Sequence, residues 1–172
     1  MTVPSATGSH EKHSVFFCHR LNDARVTSLL IDLLNRHTEN VSFFSSEKIE
    51  KGSWRSAIAE HLNRADFFVL VVTDSNEDWG SCLNETAYFA ALSQVSETPR
   101  RKLWCLHQRS IDPPRPFHDL QSIPTNKGDV EHWLTELFDE TGQAKDSLRK
   151  AIPGLADEIC KLFSSNQEAN LF

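Results

Sequence analysis

The run "DFFVLVVT", Asp66 to Thr73, is the most apolar stretch of the chain and the one that most restricts its fold. It is bounded by polar residues and rich in valine and phenylalanine, which suit a pleated backbone. A strand without alternation has two apolar faces, so both must be covered. Shorter runs of the same kind are "SVFFC" (Ser14 to Cys18), "VSFF" (Val41 to Phe44) and "KLWCLH" (Lys102 to His107). The proline-rich segment "QRSIDPPRPFHDLQSIPT" leaves room for a short edge strand around Leu120 to Ile123.

Helical patterns separate these runs. Val26, Leu29, Leu30, Leu33 and Leu34 recur at i, i+3, i+4, i+7 and i+8, with Asn22 or Asp23 placed to cap the helix. Ser53 can cap a second helix through Trp54, Ile58 and Leu62. "WGSCLNETAYFAAL", Trp79 to Leu92, predicts a third helix that buries its alanines and leucine and carries one acid, Glu85, in its first turn. A fourth spans about Asp129 to Phe138, and a fifth runs from Leu155 to Phe163.

Strands alternating with helices predict an α/β fold, a flavodoxin-like doubly wound parallel sheet of four to five strands with helices on both faces. A length of 172 residues supports one well-buried core and not two. The expected organisation is a leader at 1–13, a single domain at 14–163 and a polar tail at 164–172. Ligands of such sheets bind at the carboxyl ends of the strands. The loops there are "CHRLND", "SSEKIEKGSW" and "TDSNEDWGSCLNE", which puts Glu85 at the rim of the crevice.

Composition removes several classes of function. A formal charge of -6 gives no basic excess, so nucleic acid is disfavoured as a partner. No apolar run approaches the ~20 residues of a membrane-spanning helix. Cys18, Cys82, Cys105 and Cys160 form no C-x-x-C pair, which argues against a zinc site or disulfide scaffold and for a reducing, cytoplasmic compartment. The eight histidines fit no metal-ligand spacing, so no metal is expected. There is no G-x-G-x-x-G and no P-loop. A receiver domain needs an acidic pair after its first strand, where this chain has Cys18-His19-Arg20.

Four segments, in order, resemble a TIR domain (Toll/interleukin receptor/resistance protein) of the NAD-cleaving type. "VFFCHRLND" is similar to its first strand and loop, and "FFSSEKIEKGSW" to its second strand, its BB loop and the start of the next helix. "ADFFVLVVT" is similar to the third strand and "CLNE" to the C-L-x-E signature. The resemblance covers residues 14 to 107 well and the remainder loosely. It departs from the family at Cys18, where serine is usual, and at Ser45, where aspartate often ends the strand. The tryptophan usual before the cysteine is Ser81, with Trp79 two residues earlier.

The resemblance implies an NAD+ glycohydrolase or cyclase with Glu85 as its catalytic residue, NAD+ as substrate and no cofactor. It implies substrate contacts from His19, Arg20, Ser45, Trp54 and Trp79. It also implies self-association through a BB loop of Ser46, Glu47, Lys48, Ile49, Glu50, Lys51 and Gly52, a sensor chain or sensor domain, and a prokaryotic immune role. The alternatives are a non-catalytic TIR adaptor and a nucleoside deoxyribosyltransferase-like enzyme. Chemistry gives Glu85 a task in the first of these. Nicotinamide leaves NAD+ neutral, so cleavage needs no general acid, only stabilisation of an oxocarbenium-like ribose. A rim position with water access is expected to keep Glu85 ionised. The plainer reading is an acid that complements the helix dipole.

Overall fold

The computed structural model describes residues 12–46, 54–76, 78–95, 101–143 and 145–169. Five strands form one parallel sheet: β1 (His13–Cys18), β2 (Val41–Ser45), β3 (Phe67–Val72), β4 (Lys102–His107) and β5 (Gln121–Pro124). Their order is β2-β1-β3-β4-β5, that of a flavodoxin-like doubly wound sheet. Register runs Val15 beside Phe67 and Phe67 beside Lys102. All six residues of β3 are buried, as its unbroken apolar run requires.

The helices are α1 (Ala24–His37), α2 (Trp54–Arg64), α3 (Gly80–Val95), α4 (Lys127–Glu140) and α5 (Asp146–Ala169). Successive side chains of a strand point to opposite faces. Val15, Phe17, Phe67, Val69, Val71 and Trp104 therefore join the core under α1, α4 and α5. Phe16, Cys18, Phe68, Leu70, Val72 and Cys105 join the core under α2 and α3. Phe68 anchors the second layer, its ring centroid 5.9 Å from Phe16 and 5.4 Å from Phe89. Trp104 anchors the first, stacked on Phe67 and edge-on to Trp133. Gly142, at φ 67°, ends α4 in the left-handed conformation that glycine adopts without steric cost.

Four expectations are corrected. The last helix begins at Asp146 and continues to Ala169, so Pro153 lies inside it and most of the expected tail is helical. Asp23 stands at the N-cap of α1 but its carboxylate makes no capping bond; it is drawn to Arg20 and Thr73 instead. α3 buries Cys82, Glu85, Thr86 and Phe89, while Leu83, Ala87, Tyr88 and Ala91 face outward. α3 also starts at Gly80, so Glu85 is in its second turn and no acid occupies the first. Among the described residues, no helix is long and apolar enough to cross a membrane.

Candidate active site

The order of the sheet reverses between β1 and β3, and ligands of doubly wound sheets bind outside the carboxyl ends at that point. The loop after β1 carries His19 and Arg20, and the loop after β3 leads into α3 and Glu85.

Glu85 is only 5% exposed, which overturns the expected wet rim. The Cys18 thiol at the end of β1 is the neighbour that favours its ionised form. Burial pushes the Glu85 carboxyl above the ordinary range, and the hydrogen bond from Cys18 opposes that in part. Burial first, then Cys82 and Glu85, push the Cys18 thiol far above its usual range, so it stays protonated and donates. The plainer reading of Glu85 loses its footing here, because dipole stabilisation is confined to the first helical turn. Cys105 is an ordinary core thiol, pushed up to about 12 by burial.

Arg20 does not reach into open solvent. Its Nε donates to Asp23 Oδ2 at 2.8 Å and its Nη2 to Asp23 Oδ1 at 3.2 Å. Its Nη1 pairs with Asp74 Oδ1 at 2.9 Å and donates to the Asn76 carbonyl at 2.5 Å. Burial disfavours the guanidinium charge, but Asp23 and Asp74 more than offset that and raise its pKa. Asp23 is fully buried. Such a pair is held because removing either partner strands a charge in the interior.

The Arg20 guanidinium also lies 4.1 Å from the centre of the Trp79 ring. Trp79 meets Phe117 edge-on at 5.3 Å and is 4% exposed. Trp79 serves as a platform for Arg20. His19 is buried too, and its Nδ1 lies 2.8 Å from the Arg20 carbonyl, which makes Nδ1 the protonated nitrogen. His19 Nε2, Trp79 Nε1 and Thr86 Oγ1 are buried without a hydrogen-bond partner among the described residues.

Beside these groups a cavity of about 270 Å³ is lined by Arg20, Leu21, Asn22, Asn76, Asp78, Gly80 and Ser81. That is below the ~300 Å³ at which small-molecule pockets begin, so a dinucleotide would extend past it. Glu85 is not part of its lining. The structure thus brings Arg20 and Trp79 together and sets Glu85 separately against Cys18. Ser45 is buried and Ser46 half-buried at the end of β2. Glu47, Lys48, Ile49, Glu50, Lys51 and Gly52 lie outside the described residues, as does the Trp54 side chain. No three His, Cys, Asp or Glu side chains among the described residues are placed to hold a metal ion.

Sequence reasoning missed Thr73, Asp74 and Asn166. Thr73 was visible as the polar end of an apolar run, the place where strands of this fold deliver site residues. Asn166 carried no signal.

No family model matches this chain, and no curated protein is similar to it. Among solved structures, rubredoxin oxygen:oxidoreductase from the anaerobe Desulfovibrio gigas aligns with 91% of this chain at 9% identity and a TM-score of 0.37. The flavodiiron protein from Giardia intestinalis aligns with 93% at 12% identity and a TM-score of 0.34. This chain spans 37% and 38% of their lengths. The class defined by the fold is an α/β flavodoxin-like domain with a polar crevice at its switch point, and that class hosts many chemistries.

Proposed function

We propose that this chain is a TIR-type NAD+ glycohydrolase or cyclase in which Glu85 stabilises the ribosyl cation. One observation carries the reading. A carboxylate sits buried on the crevice helix with a thiol as its neighbour and outside the helical turn where a dipole would reward it. A buried acid without a cationic partner costs stability, and a catalytic task accounts for its presence.

In the proposed reaction the C1′–N bond breaks and its electron pair leaves on the nicotinamide nitrogen. Positive charge grows on C1′ and the ring oxygen, and Glu85, hydrogen-bonded to the ribose hydroxyls, stabilises it in a site that excludes water. Water, losing a proton, then completes ADP-ribose, or a ring nitrogen of the adenine closes a cyclic product. His19 Nε2 and Trp79 Nε1 are buried without a hydrogen-bond partner among the described residues, so either meets a substrate polar group only if the loops around it open. Arg20 is committed to Asp23 and Asp74, which suits it to shaping the loop more than to binding a diphosphate.

Self-association through the BB loop, a sensor partner, a cytoplasmic setting and a role in immune defence belong to the same reading. Nicotinamide release from NAD+, measured over a rising series of protein concentrations, tests it. Release per chain should increase with concentration. No release at any concentration would replace the enzyme with the non-catalytic adaptor.

A further inference from the structure

The crevice loops are fastened from an unexpected direction. Asn166, near the end of α5, donates from Nδ2 to Thr73 Oγ1 at 3.1 Å. The Thr73 hydroxyl donates in turn to Asp23 Oδ1 at 2.5 Å, and the Thr73 N–H reaches the same oxygen at 3.1 Å. Asp23 holds Arg20 through both carboxylate oxygens, and Arg20 holds Asp74 and the Asn76 carbonyl while resting on Trp79.

Each step crosses to another segment: from α5 to the end of β3, to the loop after β1, to the loop after β3, and to the residue that precedes α3. The direction of the chain is fixed. A hydroxyl has one proton, and Thr73 spends it on the buried, acceptor-only carboxylate, so Asn166 must approach as a donor. Asp23 has no exposure to water, so each donor it loses leaves an acceptor lone pair unsatisfied.

We propose that Asn166 is a positioning residue and that the last turns of α5 hold the residues between β3 and α3 in their working arrangement at the N-terminal end of α3. Displacing that end of α5 slackens Thr73, then the Asp23–Arg20 pair, then Asp74, Asn76 and Trp79 ahead of α3. This deepens the NAD+-cleaving reading and rests on it for its effect on activity, though not for its effect on the loop.

The test uses the full chain with Asn166→Ala, Thr73→Val and Thr73→Ser, read by NMR hydrogen exchange and by nicotinamide release. In Asn166→Ala and Thr73→Val, exchange at the Asn76, Asp78 and Ser81 amides should quicken about five-fold or more, the effect of one lost hydrogen bond. Leu70, in the middle of the sheet, should exchange as in the wild type. Thr73→Ser keeps the hydroxyl and should restore the slow loop. Nicotinamide release should fall in kcat with KM little changed, and Thr73→Ser should recover it. Unchanged loop exchange in Asn166→Ala, or acceleration that is uniform through the sheet, would overturn the proposal. Asn166 is half-buried on a helix surface, so that variant decides the matter even if Thr73→Val does not fold. A loop that quickens as expected in a protein releasing no nicotinamide upholds the clamp and removes the NAD+ reading. Nicotinamide release with an unaffected loop does the reverse.

Discussion

At the scale of single residues, Glu85 sets stability and function against each other. Its pKa is raised in the folded state by burial, so folding favours the protonated form. The stability this contributes is fully present below the ordinary glutamate pKa and is lost as pH rises through the raised folded value. Glu85→Gln, neutral throughout, is therefore expected to resist urea better than the wild type at pH 8, the gap closing in acid. The proposed chemistry needs the ionised form, so the acid limb of nicotinamide release should fall above the ordinary glutamate range. The Cys18 thiol favours the carboxylate, and Cys82 is the other titratable neighbour in this cluster. Cys18→Ala should move that limb to still higher pH, and a pH–rate profile of the two proteins checks it. The existence of this acid was legible in the sequence and its burial was not. α3 is apolar nearly all round, so no stripe told which side meets the sheet. Packing chose Cys82, Glu85, Thr86 and Phe89, because Phe89 fills the space over Phe68.

At the scale of elements, α5 shows tertiary packing overriding local propensity. Pro153 and Gly154 read as a boundary, since proline lacks an N–H and crowds the preceding turn. Yet Leu148, Ile152, Leu155, Ala156, Ile159 and Phe163 recur at helical spacing across that pair, and all are buried. Their burial outweighs a local penalty of about 3 kcal/mol for proline and about 1 kcal/mol for glycine. Both residues face solvent, so replacing them costs no packing. Pro153→Ala with Gly154→Ala should raise the urea-unfolding free energy by ~1–3 kcal/mol, part of the nominal gain having already been absorbed by local adjustment. An unchanged or lowered midpoint would mean that α5 needs its interruption there. The strands, by contrast, were legible within a residue or two. β1 and β3 are continuous apolar runs, which a sheet covered on both faces accommodates, while β5 was legible only as a short edge strand beside the prolines.

At the scale of the whole molecule, the alternation of elements made the layer architecture readable, and sheet order then followed from few alternatives. What no local pattern could carry is convergence. Asn166 meets Thr73 across 93 positions of sequence, and Arg20 meets Asn76 across 56. A polar residue near a strand end is visible in a sequence, but its partner is set by where the chain returns. The fold thus supplies a crevice, a fastened loop in front of it, and one acid kept at a cost in stability. Whether that acid cleaves NAD+ is decided by nicotinamide release from wild type and Glu85→Gln side by side, at matched folded concentration and pH 8. Loss of one preorganised charge at the reacting centre should lower the rate ~10²–10³-fold or more while the variant stays folded. Equal rates in the two proteins would contradict the assignment of Glu85 as the catalytic residue.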